Sequence, residues 1–189
     1  MKSLAIMLCL SLAMVGCTSS YRSDRLEGSA APQLTKGACS VYVSVPEDGS
    51  YQGHIGKGSG SATAKAIVTA FVPYTMRADC GSAPQTHDAG MASAASGGFT
   101  HYIEPTIMNW EDRATEWSGK LDAISVRLVL FEVPSRRQID TVVIHGNSKW
   151  MTFGGDHPQD LLPEPMGKYA AQCFGAAPPT KPSETGSAI

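Results

Sequence analysis

Residues 124–131 constrain the fold more than any other stretch. Ile124, Val126, Leu128 and Leu130 fall on alternate positions, with Ser125 and Arg127 between them and then Val129 and Phe131. A period of two over eight residues is strand geometry. One face is apolar throughout and the other becomes apolar midway. Pro134-Ser135-Arg136-Arg137 is a turn, and 138–150 reads as the next strand. With 100–111 upstream, three strands joined this way form an antiparallel meander.

The first half of the chain is organised differently. Ser40-Val41-Tyr42-Val43-Ser44-Val45 reads as a strand ended by Pro46 and the turn Glu47-Asp48-Gly49. A Gly/Ser-rich loop follows, then a helix over 62–72 with Ser59 or Ser61 as its cap. Residues 75–80 read as a short strand. Residues 86–96 read as a small-residue helix, capped by Thr86 or Asp88, able to sit close to a sheet. A last helix covers about 160–174. The order β-α-β-α-β-β-β-α predicts one α/β domain over 38–174, with a mixed sheet of about five strands. The first three strands are expected to be parallel, through right-handed crossovers.

The N-terminus carries an address. Lys2 precedes an apolar run over 4–15, too short for a spanning helix, which needs about 20 residues. The run closes on Ala13-Met14-Val15-Gly16-Cys17, the pattern of a lipoprotein signal. We expect a signal peptide over 1–16, cleavage before Cys17 and acylation of that cysteine, so that the partner at this end is the membrane. Residues 17–37 show no sustained periodicity and are expected to be a lipidated flexible tether, with a reach of roughly 25 Å. Residues 175–189, with Pro178, Pro179 and Pro182, are expected to be a disordered tail.

Removing Lys2 from the 15 basic residues leaves 14 against 17 acidic ones, a formal charge of −3. No run of Lys or Arg appears. Nucleic acid is therefore not an expected partner.

Several motifs have chemical potential. The stretch from Gly53 to Gly60 has the position of a phosphate loop but not its spacing: Tyr51 stands where the first Walker glycine belongs, and Gly58 follows Lys57. It reads as a mobile loop leading to a helix N-terminus that could hold a small anion. Trp110, Glu111, Asp112, Arg113, Glu116 and Trp117 form a dense stretch suited to recognition of a protein or a glycan, since Trp and Arg dominate hot spots. A long hairpin with its Trp packed on the sheet and Arg113 paired with Glu111 or Glu116 is the favoured reading of the same stretch. Asp156 and His157 could act as acid and base. Pro158 and Gln159 also fit a capped helix start, with Asp156 as the cap. No catalytic residue, metal ligand or cofactor is assigned. Once Cys17 is acylated, Cys39, Cys80 and Cys173 remain. Cys39–Cys173 is the expected disulfide, and Cys39–Cys80 is excluded if their strands are parallel neighbours.

The motifs Tyr42-Val43, Val45-Pro46, Asp48-Gly49 and Gly58-Ser59-Gly60 join two longer ones, Trp110-Glu111-Asp112-Arg113-Ala114-Thr115-Glu116-Trp117-Ser118-Gly119 and Phe153-Gly154-Gly155-Asp156-His157-Pro158-Gln159-Asp160-Leu161-Leu162. Together with Ser148-Lys149-Trp150, they resemble a family of Gram-negative lipoproteins known only as a domain of unknown function. The resemblance spans about 40–174 and implies an exported, lipid-anchored α/β domain with no established activity. By resemblance to such lipoproteins, Thr18 after the acylated cysteine implies sorting to the outer membrane, on its periplasmic face. The expected function is a non-catalytic binding or envelope-assembly role, with an envelope protein or glycan as partner. The alternative is an envelope-active hydrolase or small-ligand-binding protein that uses the Asp156-His157 turn and the 110–117 loop.

Overall fold

The computed structural model describes residues 19–25, 31–113, 121–148 and 157–178. The strands are β1 (Ser20–Arg25), β2 (Ser40–Val45), β3 (Ser50–Tyr51), β4 (His54–Ile55), β5 (Arg77–Pro84), β6 (His101–Glu111), β7 (Ala123–Glu132) and β8 (Arg137–Asn147). The helices are α1 (Ser59–Phe71), α2 (His87–Ser96) and α3 (Pro163–Cys173), the last preceded by a 3₁₀ turn, Pro158–Leu161. The main sheet has six strands in the order β1-β8-β7-β6-β2-β5, and β3 and β4 form a separate small hairpin.

The expected α/β class and mixed sheet are present. β2 lies parallel to both β5 and β6, whereas β6, β7 and β8 form the antiparallel meander. β2 is buried at all six positions. Val41, Val43 and Val45 enter the larger core with Ile67 and Phe71 of α1 and Met166, Tyr169 and Ala170 of α3. Tyr42 points the other way, into a smaller cluster with Met91 and Ala94 of α2, Phe99, Tyr102 and Val133. α1 and α3 thus cover one sheet face and α2 part of the other. This explains the half-apolar second face of β7: Ile124, Val126, Leu128 and Leu130 meet the larger core, and Phe131 alone reaches the smaller one.

The close approach expected of α2 is made at Gly90. A Cβ there would stand 2.4 Å from the Tyr102 hydroxyl. Thr86 caps the helix, accepting from the Ala89 N–H at 3.4 Å.

One expected segment is corrected. Residues 20–25, taken with 17–37 as a tether, form β1, paired antiparallel with β8 over six residues. The strand is held by Arg25, whose Nε and Nη2 donate to the two carboxylate oxygens of Asp140 at 2.9 and 3.0 Å. The Asp140 side chain is fully buried. Four of the six residues in β1 are exposed, so nothing in its hydropathy marks it as a strand.

The cysteines depart from the expected pairing as well. Cys80 lies opposite Val43, four residues along from Cys39, or about 13 Å. That excludes Cys39–Cys80. The Cys39–Cys173 disulfide is also not formed, for all three thiols are free. Cys173 instead stands beside Tyr169 and near Asp140 and Arg25. Burial, foremost, pushes its thiol up to about 12.

Candidate functional site

The described members of both tryptophan motifs gather at one end of the sheet. β6 and β8 run in the same direction on either side of β7, so Glu111, Ala123 and Asn147 lie level across three strands. Asp122 ties the ends together. Its carboxylate accepts the Arg113 N–H at 2.7 Å, its carbonyl accepts the Ser148 N–H at 2.9 Å, and its own N–H donates to the Ser148 hydroxyl at 3.0 Å. Nothing in the spacing of the sequence singled out Asp122.

Trp110 is not an exposed recognition residue. It is 4% exposed and forms part of the larger core. Gly49 and Gly56 lie directly against it: a Cβ at Gly56 would stand 2.5 Å from Trp110 Cδ1, and one at Gly49 2.7 Å from Trp110 Cβ. The glycines flanking the β3–β4 hairpin thus let the backbone close over the indole.

Among the described residues, the Arg113 side chain pairs with Glu111 and Tyr51. Its Nε donates to Glu111 at 3.0 Å, and its Nη2 donates to the same carboxylate and to the Tyr51 hydroxyl, the latter at 3.0 Å. The guanidinium also lies over the Tyr51 ring, 5.2 Å from its centroid. Asn109 donates to the other oxygen of Glu111 at 3.0 Å. This polar cluster fastens the β3–β4 hairpin to the end of β6. Tyr51 had no signal in the sequence, because its partner lies 62 residues away.

Asp112 and His157 do meet. The His157 Nδ1 lies 3.9 Å from an Asp112 oxygen, with both side chains more than half exposed. A contact this long and open contributes little energy. His157 heads the 3₁₀ turn, where its N–H donates to the Asp160 carboxylate at 3.0 Å. The capping pair is therefore His157 with Asp160, one residue later than the expected pair of Asp156 with Gln159. Glu116, Trp117 and Asp156 lie outside the described residues.

The loop expected to offer a helix N-terminus to an anion supplies its own. Gly58, at φ +82°, turns the chain into α1. Asp48 accepts the Gly58 N–H at 3.0 Å and the Gly60 N–H at 2.9 Å. These two bonds hold its carboxyl below the usual range. Ser59, expected as a cap, instead accepts the Gly49 N–H at 2.8 Å.

Far from this end, Tyr169 and Cys173 stand beside the Arg25–Asp140 pair. Burial, then the neighbouring Cys173 and Asp140, pushes the Tyr169 hydroxyl well up. Burial also raises the Cys39 and Cys80 thiols. None of the three cysteines is therefore a ready thiolate near neutral pH. Among the described residues no group of three or more His, Cys, Asp or Glu is placed to hold a metal ion.

Residues 33–173 match the model of a family described as Domain of unknown function (DUF4823). The chain belongs to that family. Among solved structures, it is similar to the PelC dodecamer from Paraburkholderia phytofirmans, at 13% identity with a TM-score of 0.52, covering 85% of this chain and 99% of that one. A single-residue variant of the same dodecamer gives 12% identity and a TM-score of 0.54, covering 84% and 99%. At these identities the likeness shows the fold. No curated protein matches.

Proposed function

We propose that this chain is a lipid-anchored envelope protein, held by acylated Cys17 at the periplasmic face of the outer membrane. Its role is binding or assembly, not catalysis, and it works as a homo-oligomer. The observation that carries the reading is the fold match to PelC. It covers 99% of a chain that builds a dodecamer, so a subunit of that shape needs no extra element to assemble. Local chemistry supports the same reading. Trp110, Glu111 and Arg113 are spent on fastening a hairpin to the sheet, and the Asp48 carboxylate occupies the α1 N-terminus. Among the described residues no helix is long and apolar enough to cross a membrane.

The anchoring is tested by replacing the acylation site. The wild-type chain is expected in the outer-membrane fraction of a Gram-negative host, and Cys17→Ser in the soluble periplasmic fraction. Equal release of both chains would contradict the reading.

A further inference from the structure

The position of β1 fixes how the domain meets the membrane. This inference rests on acylation of Cys17. The strand begins at Ser20, leaving only Thr18 and Ser19 between it and the acylated residue. Three Cα steps span at most about 11 Å. β1 is no swivel, because six residue pairs join it to β8 and Arg25 grips buried Asp140 at its far end. The lipid therefore attaches to a fixed point on a folded sheet.

The register says which end of the sheet that is. Ser20 lies opposite Asn147, Asn147 opposite Ala123, and Ala123 opposite Glu111. These four residues form one row across β1, β8, β7 and β6, roughly 14 Å wide at the usual strand spacing. The opposite end of the meander, at the turn between Glu132 and Arg137, is separated from the row by ten residue steps of β8, about 33 Å.

The surface at the row suits an interface. Leu121, just before β7, and Ile55, on the hairpin clamped over Trp110, are large apolar side chains exposed at 37% and 64%. Glu111 and Arg113 neutralise each other there.

We propose that the row Glu111, Ala123, Asn147 and Ser20, with Leu121 and Ile55 beside it, rests against the phospholipid headgroup surface. The strands then stand upright, and the turn between β7 and β8 points away from the bilayer. This end of the sheet is in this way a membrane-facing surface, not one open to soluble partners.

Photo-crosslinking of the full acylated chain tests this. Benzoylphenylalanine is placed at Leu121 in one variant and at exposed Arg136, in the far turn, in another. Each is reconstituted into vesicles of phosphatidylethanolamine and phosphatidylglycerol. Lipid adducts on the protein are then counted by mass spectrometry. A several-fold higher adduct yield from Leu121 than from Arg136 is expected. Equal yields, or more from Arg136, overturn the orientation. The N-terminal peptide of the same sample is weighed in parallel: an unmodified Cys17 overturns the anchoring reading and this one with it, whereas an acylated Cys17 with equal yields overturns the orientation alone. Ile55, on a separate hairpin, takes the near-end probe should the Leu121 variant fail to fold.

Discussion

At the scale of single residues, two carboxylates outside the tryptophan motifs hold separate parts of the architecture together. Asp140 is a buried charge whose partner arrives from a strand 115 residues earlier. Removing that partner leaves an uncompensated charge, and breaking such pairs costs about 3–5 kcal/mol when both groups are buried. Arg25 keeps 20% of its side chain exposed, so Arg25→Ala is expected to cost about 2–4 kcal/mol in urea unfolding. Arg25→Met with Asp140→Leu should recover most of the loss, because replacing a buried pair with apolar groups is often neutral. A double variant as unstable as Arg25→Ala would show that the pair matters for something other than charge compensation. Asp48 acts at the surface. Asp48→Ala should cost about 0.5–1 kcal/mol, the lower part of the range for lost helix caps, since the group is open to solvent. Its folded pKa lies below the unfolded value, so its contribution is complete above about pH 4 and fades as pH falls through the folded value. Wild type and Asp48→Ala should therefore converge in stability in strong acid. A gap that stays constant from pH 7 to pH 2 would rule out the charged cap.

At the scale of elements, α2 shows how a close contact can override helix propensity. Gly→Ala in a helix interior normally gains about 1 kcal/mol. At Gly90 the added methyl meets Tyr102 ring atoms at 2.8 and 2.9 Å as well as the hydroxyl, so Gly90→Ala should instead destabilise by about 1–3 kcal/mol. A higher melting temperature for that variant would mean that α2 stands further from the sheet. The small-residue face of α2, the meander and the parallel β5-β2-β6 unit were legible in the sequence, because each is written in local periodicity or turn chemistry. β1 was not. Its residues are polar, and it becomes a strand only because β8 offers a free edge and Asp140 a partner. The candidate site was legible in outline only. The spacing of strands and turns marked the meander whose end carries the site, but Trp110 buried under Gly49 and Gly56 and Tyr51 beneath Arg113 are contacts between segments far apart in the chain, and Asp48 reaches the α1 amides across a loop. Composition kept Trp110 and Arg113 in view as binding residues, whereas tertiary packing gave them to a hairpin.

At the scale of the whole molecule, the three-layer domain has one sheet end proposed to lie at the membrane and its remaining faces available to copies of itself. The two sheet edges differ. β1 is short and lies beside the proposed lipid anchor, and β5 carries Arg77, Asp79 and Pro84, features that discourage strand addition along its length. Assembly is therefore expected through helix and sheet faces rather than by extending the sheet. Anchoring many copies in one leaflet also raises their local concentration and favours association. Native mass spectrometry of the full chain, extracted from membranes in mild detergent, reads anchoring and copy number together. The account predicts a single assembly of several copies, each carrying acyl chains on Cys17. A monomer with an unmodified Cys17 would contradict it.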